Sequence, residues 1–477
     1  MDHVDVLIVG AGLSGIGAGY RLQTQCPDRT YAILESRDAI GGTWDLFRYP
    51  GIRSDSDMYT LGYPFRPWRG EKSIADGEDI LRYVRDTAAE FGIDKQIRFG
   101  HKVTEASWST QSARWTVRVV NGDDTTEMTC SFLYLCSGYY SYESPYTPDI
   151  PGLEDFAGTV VHPQFWPEEL DYDRKKIVVI GSGATAVTLV PSLAERAERV
   201  TLLQRSPSYI MSLPARDLIA QQLRKRLPDR FAHRVVRTKN VVTNLGFYQF
   251  CQRLPALAKP LLRKVATRNL RDESLVDPHF SPSYRPWDQR LCLVPDADLF
   301  KALNRGSAEI VTDRIEAVTE KSIRLESGAE LEADIIVTAT GLALLPAGGI
   351  AFTVDGTPLE LTGTFTYRGT MLSGVPNLAL CLGYTNASWT LRADLASLYL
   401  CRLLNHMRRG GYRVATPERH HDPHPRPLLG LRSGYIKRAE GILPKQGSAS
   451  PWLMRQNYLL DLPTMRFGRL DEAMQFS

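Results

Sequence analysis

The chain opens on an unbroken apolar run, VDVLIV (residues 4–9), the pattern of a parallel strand buried on both faces. GAGLSG then reads as a tight turn, GIGAGYRLQTQ has the spacing of a helix, and YAILE forms a second strand ending at Glu35. The order recurs in KIVVIGSGATAVTLV and VTLLQRS, residues 176–206. Two further apolar runs, FLYLCSG (132–138) and ADIIVTATG (333–341), end alike and bracket this second unit. The pattern predicts an α/β protein with two Rossmann-like dinucleotide-binding domains, the second inserted in the first. The expected divisions are 1–140 for the first part of the outer domain, 141–334 for the inserted domain and 335–477 for the outer domain's second part. From about residue 213 to 275 the apolar spacing is that of amphipathic helices, a helical subdomain within the inserted domain.

Each turn carries the residues that hold a dinucleotide. Gly10, Gly12 and Gly15 stand in GxGxxG spacing. The first glycine permits the turn, the second admits a pyrophosphate to the backbone, and the third lets helix and strand pack closely. The pyrophosphate then meets the unpaired N–H groups at the helix N-terminus. Glu35 follows Gly15 by 20 residues, placed to accept hydrogen bonds from a ribose. In the second turn Gly181, Ser182, Gly183, Ala184, Thr185 and Ala186 repeat the motif as GxGxxA, but the next strand ends in Gln204, Arg205 and Ser206. A carboxylate repels a ribose phosphate, whereas a guanidinium suits one. The first site is therefore expected to take FAD and the second NADPH.

Composition bounds the class. Of 477 residues, 43% are hydrophobic and 23% charged, the balance of a globular protein rather than of a disordered or fibrous one. No apolar run is long enough to span a bilayer, and MDHVDVLIVG reads as a strand rather than a targeting segment. Seven scattered cysteines without a CxxC pair point to a reduced, cytoplasmic setting and away from a cysteine-held zinc. The net charge of +3 is uneven: residues 216–271 hold fourteen Lys and Arg against two acids. That stretch has no nucleic-acid motif, so no nucleic-acid partner is expected. A solvated basic face is the plainer expectation, with weak peripheral contact to the inner face of a membrane the sharper one. The oligomeric state is not encoded in any visible motif.

Five segments narrow the chemistry. FAGTVVHPQFWP fits the FxGxxxHxxxW(P/D) pattern through Phe156, Gly158, His162, Trp166 and Pro167. GGTWDLFRYPGIRSD fits (A/G)GxWxxxx(F/Y)P(G/M)xxxD through Gly41, Gly42, Trp44, Tyr49, Pro50, Gly51 and Asp55. PWDQRLCLVP, VTATGL and GYTNASWTL complete the set. In these motifs, and along essentially the whole chain, the sequence resembles the type I Baeyer–Villiger monooxygenases, and most of all the mycobacterial members that activate thioamide prodrugs. The resemblance implies that FAD reduced by NADPH takes up dioxygen as a flavin peroxide, which converts ketones to esters or lactones and also oxidises soft sulfur. It assigns Arg290 to charge stabilisation of that peroxide and Asp55 to orienting Arg290. It carries over further FAD contacts to Ser14, Thr43, Trp44, Asp45, Leu46, Arg53, Ser54, Asp55 and Val103. His162 and Trp166 become a hinge coupling the NADPH domain to the chemistry. Gln289 stands where many relatives have a lysine for the NADPH phosphate, which shifts that task to Arg205 and Ser206.

Two other readings remain open. One is a monooxygenase of sulfur or nitrogen centres that treats ketones poorly, the other a non-oxygenating NADPH-dependent flavoprotein reductase. The substrates expected are a small ketone or sulfide and O2. No resident metal is expected: His420, His421 and His424 lie among prolines and arginines without a carboxylate framework. Asp57 reads as a cap, Cys292 as a small buried residue, and Trp389 as either a packing or a pocket residue.

Overall fold

The structure is a computed structural model that describes residues 2–419, 424–431 and 433–477. His420 and His421 lie outside the described residues.

The first apolar run becomes the central strand Asp2–Val9 of an eleven-stranded sheet. It pairs in parallel with Tyr31–Leu34, in the register Val6 to Tyr31, and with Asp124–Leu135, in the register Val6 to Phe132. Both faces of this strand are covered, which is why no alternation is visible in its sequence: Val6, Leu7 and Ile8 are all fully buried. Helix Leu13–Gln25 packs on one face beside the long helix Trp389–Gly410, and Arg21 pairs with Asp394 between them at 2.8 Å. Arg114–Asn121 is antiparallel to both Lys102–Ser109 and Asp124–Leu135. It alternates cleanly, with Trp115, Val117 and Val119 inside and Arg114 and Arg118 outside.

The second sheet has five parallel strands in the order Ala308–Thr312, Arg199–Gln204, Lys176–Ile180, Ile335–Thr338, Thr159–Val161. Here one expectation is corrected. Ile335–Thr338 was expected to open the second part of the outer domain, but it lies in the inserted sheet, Ile335 opposite Ile177 on one side and Thr159 on the other. Each residue of this strand, IIVT, is buried, and its backbone finds a parallel partner on either edge in this sheet. The chain returns to the outer domain only after residue 338. The two crossings run side by side, Ser141 N donating to Ala343 O at 2.8 Å and Leu345 N to Tyr139 O at 2.8 Å.

The basic stretch forms the helices Leu218–Arg226, Asp229–Arg253 and Pro255–Asn269. Although inserted in the second unit, the longest of them docks on the first. Arg237 Nη1 donates to the carbonyl oxygens of Tyr59 at 2.7 Å and Gly62 at 2.8 Å, and Asn240 donates to Asp57 at 2.7 Å. Asp57 also caps the short helix Met58–Leu61 by accepting from Thr60 N.

Candidate active site

A cleft of about 650 Å3 lies where the two dinucleotide units face each other. Gly10, Gly12, Ser14 and Glu35 line it from the first unit, Ala184 and Thr185 from the second. The turn geometry explains the motif. A Cβ on Gly15 would come within 1.9 Å of the Gly10 carbonyl oxygen, so only glycine lets the helix start this close to the strand. At Gly183, by contrast, a Cβ would meet nothing within 4 Å: the backbone there is open to an approaching group. Gly181, Ser182, Gly183 and Ala186 build the second turn without lining the cleft, and Ser208 donates to the Ser182 hydroxyl at 2.9 Å. Arg205 and Ser206 stand exposed just beyond the strand Arg199–Gln204.

Glu35 sits at the end of its strand with the carboxylate held by two backbone donors, Ala11 N at 2.7 Å and Arg37 N at 3.0 Å. Its oxygens have further lone pairs for a ribose in the cleft. Thr43, Trp44, Arg53, Ser54, Asp55 and Val103 also line the cleft. Asp45 and Leu46, placed beside the flavin by the resemblance, do not. Asp45 turns into the scaffold, where its buried carboxylate pairs with Arg37 at 2.6 Å, Arg85 at 2.9 Å and Arg48 at 3.1 Å. Leu46 joins the apolar core of the second unit. Three guanidiniums converge on Asp45 because a buried carboxylate needs that much compensation.

Arg290 reaches the cleft from a loop that ends at the strand Cys292–Pro295. Its Nε lies 2.7 Å from Asp55 Oδ2, and both side chains are about one-third exposed, at 33% and 29%. Burial alone would lower the guanidinium's pKa, but the Asp55 carboxylate reverses the sign and raises it. Among the described residues neither Nη group of Arg290 makes a hydrogen bond, leaving two donors beside the cleft. The loop rests on the helical insertion: Trp287 packs edge-on to Tyr248 with ring centroids 5.5 Å apart, and Gln252 donates to Pro286 O at 3.1 Å. Arg53 lies beside Asp55 and pairs with Asp298 at the start of helix Asp298–Arg305.

His162 and Trp166 flank a short turn, Pro163–Phe165, at the chain crossings. His162 Nδ1 accepts from Gln164 N at 3.1 Å, and Gln164 Nε2 donates to Ser141 O at 2.8 Å. Burial lowers the His162 pKa, and Gly341 of the return crossing lies within reach of the same ring. The fingerprint thus ties both crossings together. Trp166 is buried in the core of the second unit against Tyr172.

Sequence reasoning picked out Trp389 as either a packing or a pocket residue but missed the tyrosines that form an aromatic wall with it. Tyr139, Tyr140 and Tyr142 line the cleft, and Tyr139 packs on Trp389 with centroids 5.1 Å apart. Trp389 Nε1 donates to Ser14 Oγ at 2.8 Å. Burial pushes the Tyr139 and Tyr140 phenols up, so both stay neutral donors. The signal was present: YYSY directly follows FLYLCSG, at the carboxyl end of a parallel strand, where open α/β sheets bind ligands. Cys292 is buried, and burial raises its thiol's pKa, so it stays a protonated thiol rather than the thiolate a nucleophile needs. Among the described residues no group of three or more His, Cys, Asp or Glu could hold a metal ion.

Residues 8–73 match the family of NAD(P)-binding Rossmann-like domains, and residues 68–235 match the flavin-binding monooxygenase-like family. FAD-containing monooxygenase EthA of Mycobacterium tuberculosis is 54% identical over 479 residues, covering 100% of this chain and 98% of that protein. The chain belongs to the family of FAD-containing monooxygenases. The probable FAD-binding monooxygenase AlmA of Acinetobacter baylyi is 46% identical, covering 99% of this monooxygenase and 95% of its own length. The fold of this monooxygenase is also that of steroid monooxygenase bound to NADP, with a TM-score of 0.77 at 22% identity over 99% of both chains. Cyclohexanone monooxygenase with bound ε-caprolactone matches with a TM-score of 0.74 at 19% identity over 100% of both.

Proposed function

We propose that this FAD- and NADPH-dependent monooxygenase carries out Baeyer–Villiger oxidation of ketones to esters or lactones, with oxidation of soft sulfur as a second activity. The balance is one ketone, NADPH, a proton and O2 giving the ester, NADP+ and water. NADPH supplies two electrons as hydride, one oxygen atom enters the new C–O bond, and the other leaves as water. FAD bound in the cleft would supply the hydride relay and the activation of dioxygen.

The residues fit both cofactors. Gly12 and the N-terminus of helix Leu13–Gln25 offer a pyrophosphate site, and the Glu35 carboxylate offers a ribose acceptor. The open backbone at Gly183, with Arg205 and Ser206 beyond the next strand, offers the second dinucleotide its pyrophosphate and ribose-phosphate contacts. Ketone oxidation passes through oxygen-centred negative charge, and a cation held in place stabilises it without reorganisation. The Arg290–Asp55 pair carries the proposal: Asp55 pairs with Nε of an arginine that lines the cleft, and among the described residues no hydrogen bond engages its Nη groups. Neutral Tyr139 and Tyr140 and the ring of Trp389 keep that side of the cleft poor in water. Sulfur needs no addition to a carbonyl, so its oxidation depends less on Arg290.

The test is to incubate the yellow holoprotein with NADPH, isotopically labelled dioxygen and a methyl ketone, then to analyse products by mass spectrometry. The expected product is an ester bearing one labelled oxygen. Sulfoxide from a sulfide with no ester from any of several ketones would make it a heteroatom monooxygenase. Hydrogen peroxide alone with both substrate types would make it a reductase.

A further inference from the structure

We propose that the outer side of the helical insertion docks on an anionic lipid bilayer. Seventeen large apolar side chains are exposed among the described residues, and nine of them fall between residues 213 and 261. They are arranged by helical period. Helix Asp229–Arg253 buries Ala232, Val236 and Asn240 and turns Phe231, Val235 and Val242 outward, positions that share one stripe at 3.6 residues per turn. Helix Pro255–Asn269 buries Ala258, Leu262 and Ala266 and exposes Leu257 and Leu261. Helix Leu218–Arg226 starts on Leu218 and Ile219, 70% and 57% exposed. Two successive helices with apolar outward stripes, and a third that exposes two apolar residues in its first turn, are not accounted for by the core beneath them.

The same surface is cationic. Lys225, Arg226, Arg230, Arg234, Lys264 and Arg268 form no ion pair with the described residues, whereas cations such as Lys239 and Arg263 are matched by acids, at 2.6 Å in each case. The combination selects the occupant. A nucleic acid would take the cations but offers nothing to exposed leucines, while an anionic bilayer offers phosphates to the cations and the acyl boundary to the apolar stripes. Contact is peripheral, because no helix among the described residues is long and apolar enough to cross a membrane. On its inner side, helix Asp229–Arg253 contributes Val241, Leu245 and Tyr248 to a small cavity shared with Tyr384 and Ala387, both of which also line the main cleft. A docked bilayer would therefore lie about one helix diameter, roughly 10 Å, from that cavity.

The experiment is co-sedimentation of the holoprotein with vesicles of phosphatidylcholine, with or without phosphatidylglycerol, at low and high salt. Binding is expected only with phosphatidylglycerol, and high salt should release it. The double variants Leu257→Ser/Leu261→Ser and Arg230→Gln/Arg234→Gln should each weaken binding by about tenfold or more while keeping wild-type FAD content. No pelleting with phosphatidylglycerol vesicles at low salt overturns the proposal, as does wild-type binding by both double variants. So does a dimer in analytical ultracentrifugation that Leu257→Ser/Leu261→Ser dissolves while vesicles are left unbound, since a second copy would then cover this face.

Discussion

The Asp55 carboxylate meets Nε of Arg290 at 2.7 Å across the seam between the two dinucleotide units. Asp55 is carried by the loop that follows the first βαβ unit, Arg290 by a loop of the inserted domain, so the pair forms only when both domains are in place. Arg290→Ala should retain FAD and still oxidise NADPH, with ester formation down about 100-fold or more and hydrogen peroxide in its place. Asp55→Asn should lower ester yield less, because the guanidinium remains but is no longer held. Parallel assays of ester, peroxide and sulfoxide check this. Normal ester yield from Arg290→Ala would refute the assignment.

Glu35 carries two duties. Its carboxylate accepts from Ala11 N and Arg37 N and offers lone pairs to a ribose. Glu35→Ala removes the ribose acceptor and orphans a buried N–H, a cost of about 1–3 kcal/mol. FAD affinity should fall by about tenfold or more, measured as flavin released on gel filtration and by fluorescence titration.

Arg205 is exposed and without an ion-pair partner among the described residues. Arg205→Gln should raise KM for NADPH about tenfold and leave KM for NADH nearly unchanged. Gln289→Lys adds a cation directly before Arg290 in the chain and should sharpen the preference for NADPH. Steady-state kinetics with both nucleotides decide the matter, and equal effects on both would remove Arg205 from phosphate recognition.

His233 supplies a pH dependence of stability. It is 3% exposed on helix Asp229–Arg253, and neither ring nitrogen has a hydrogen-bond partner. Burial, with help from the Arg237 charge, lowers its pKa from 6.5 to about 4. Between those values the unfolded chain binds more proton than the folded one, so stability falls as pH drops from about 6.5 toward 4. The loss from this one group is at most about 3 kcal/mol. Urea unfolding at several pH values should show a shallower acid-side loss in His233→Phe than in the wild type. Identical slopes would show that His233 does not contribute.

Local periodicity and turn chemistry were enough to recognise both βαβ units, because a buried strand, a glycine turn and an amphipathic helix each leave a short-range signature. The contrast between Glu35 and Arg205 was legible for the same reason: both stand at a set distance from a motif. The two fingerprints and the segments beside them led to the family, and the resemblance singled out Arg290 and Asp55. Partner choice is another matter. Ile335–Thr338 reads as a buried strand in either domain, and only the presence of Lys176–Ile180 and Thr159–Val161 on its two edges decides which. Asp45 looks like a cofactor contact beside Trp44, yet three arginines, from positions 37, 48 and 85, fold in to claim it. The aromatic wall of Tyr139, Tyr140 and Trp389 is assembled from segments far apart in the chain, and so is the docking of Arg237 on the carbonyls of Tyr59 and Gly62. What the sequence by itself determined was each element and its chemistry, which depend on neighbours a few residues away. What only the tertiary structure decided was which elements share a sheet, which side chains face the cleft and which face of the insertion is left outward, since packing and charge compensation act between residues hundreds of positions apart.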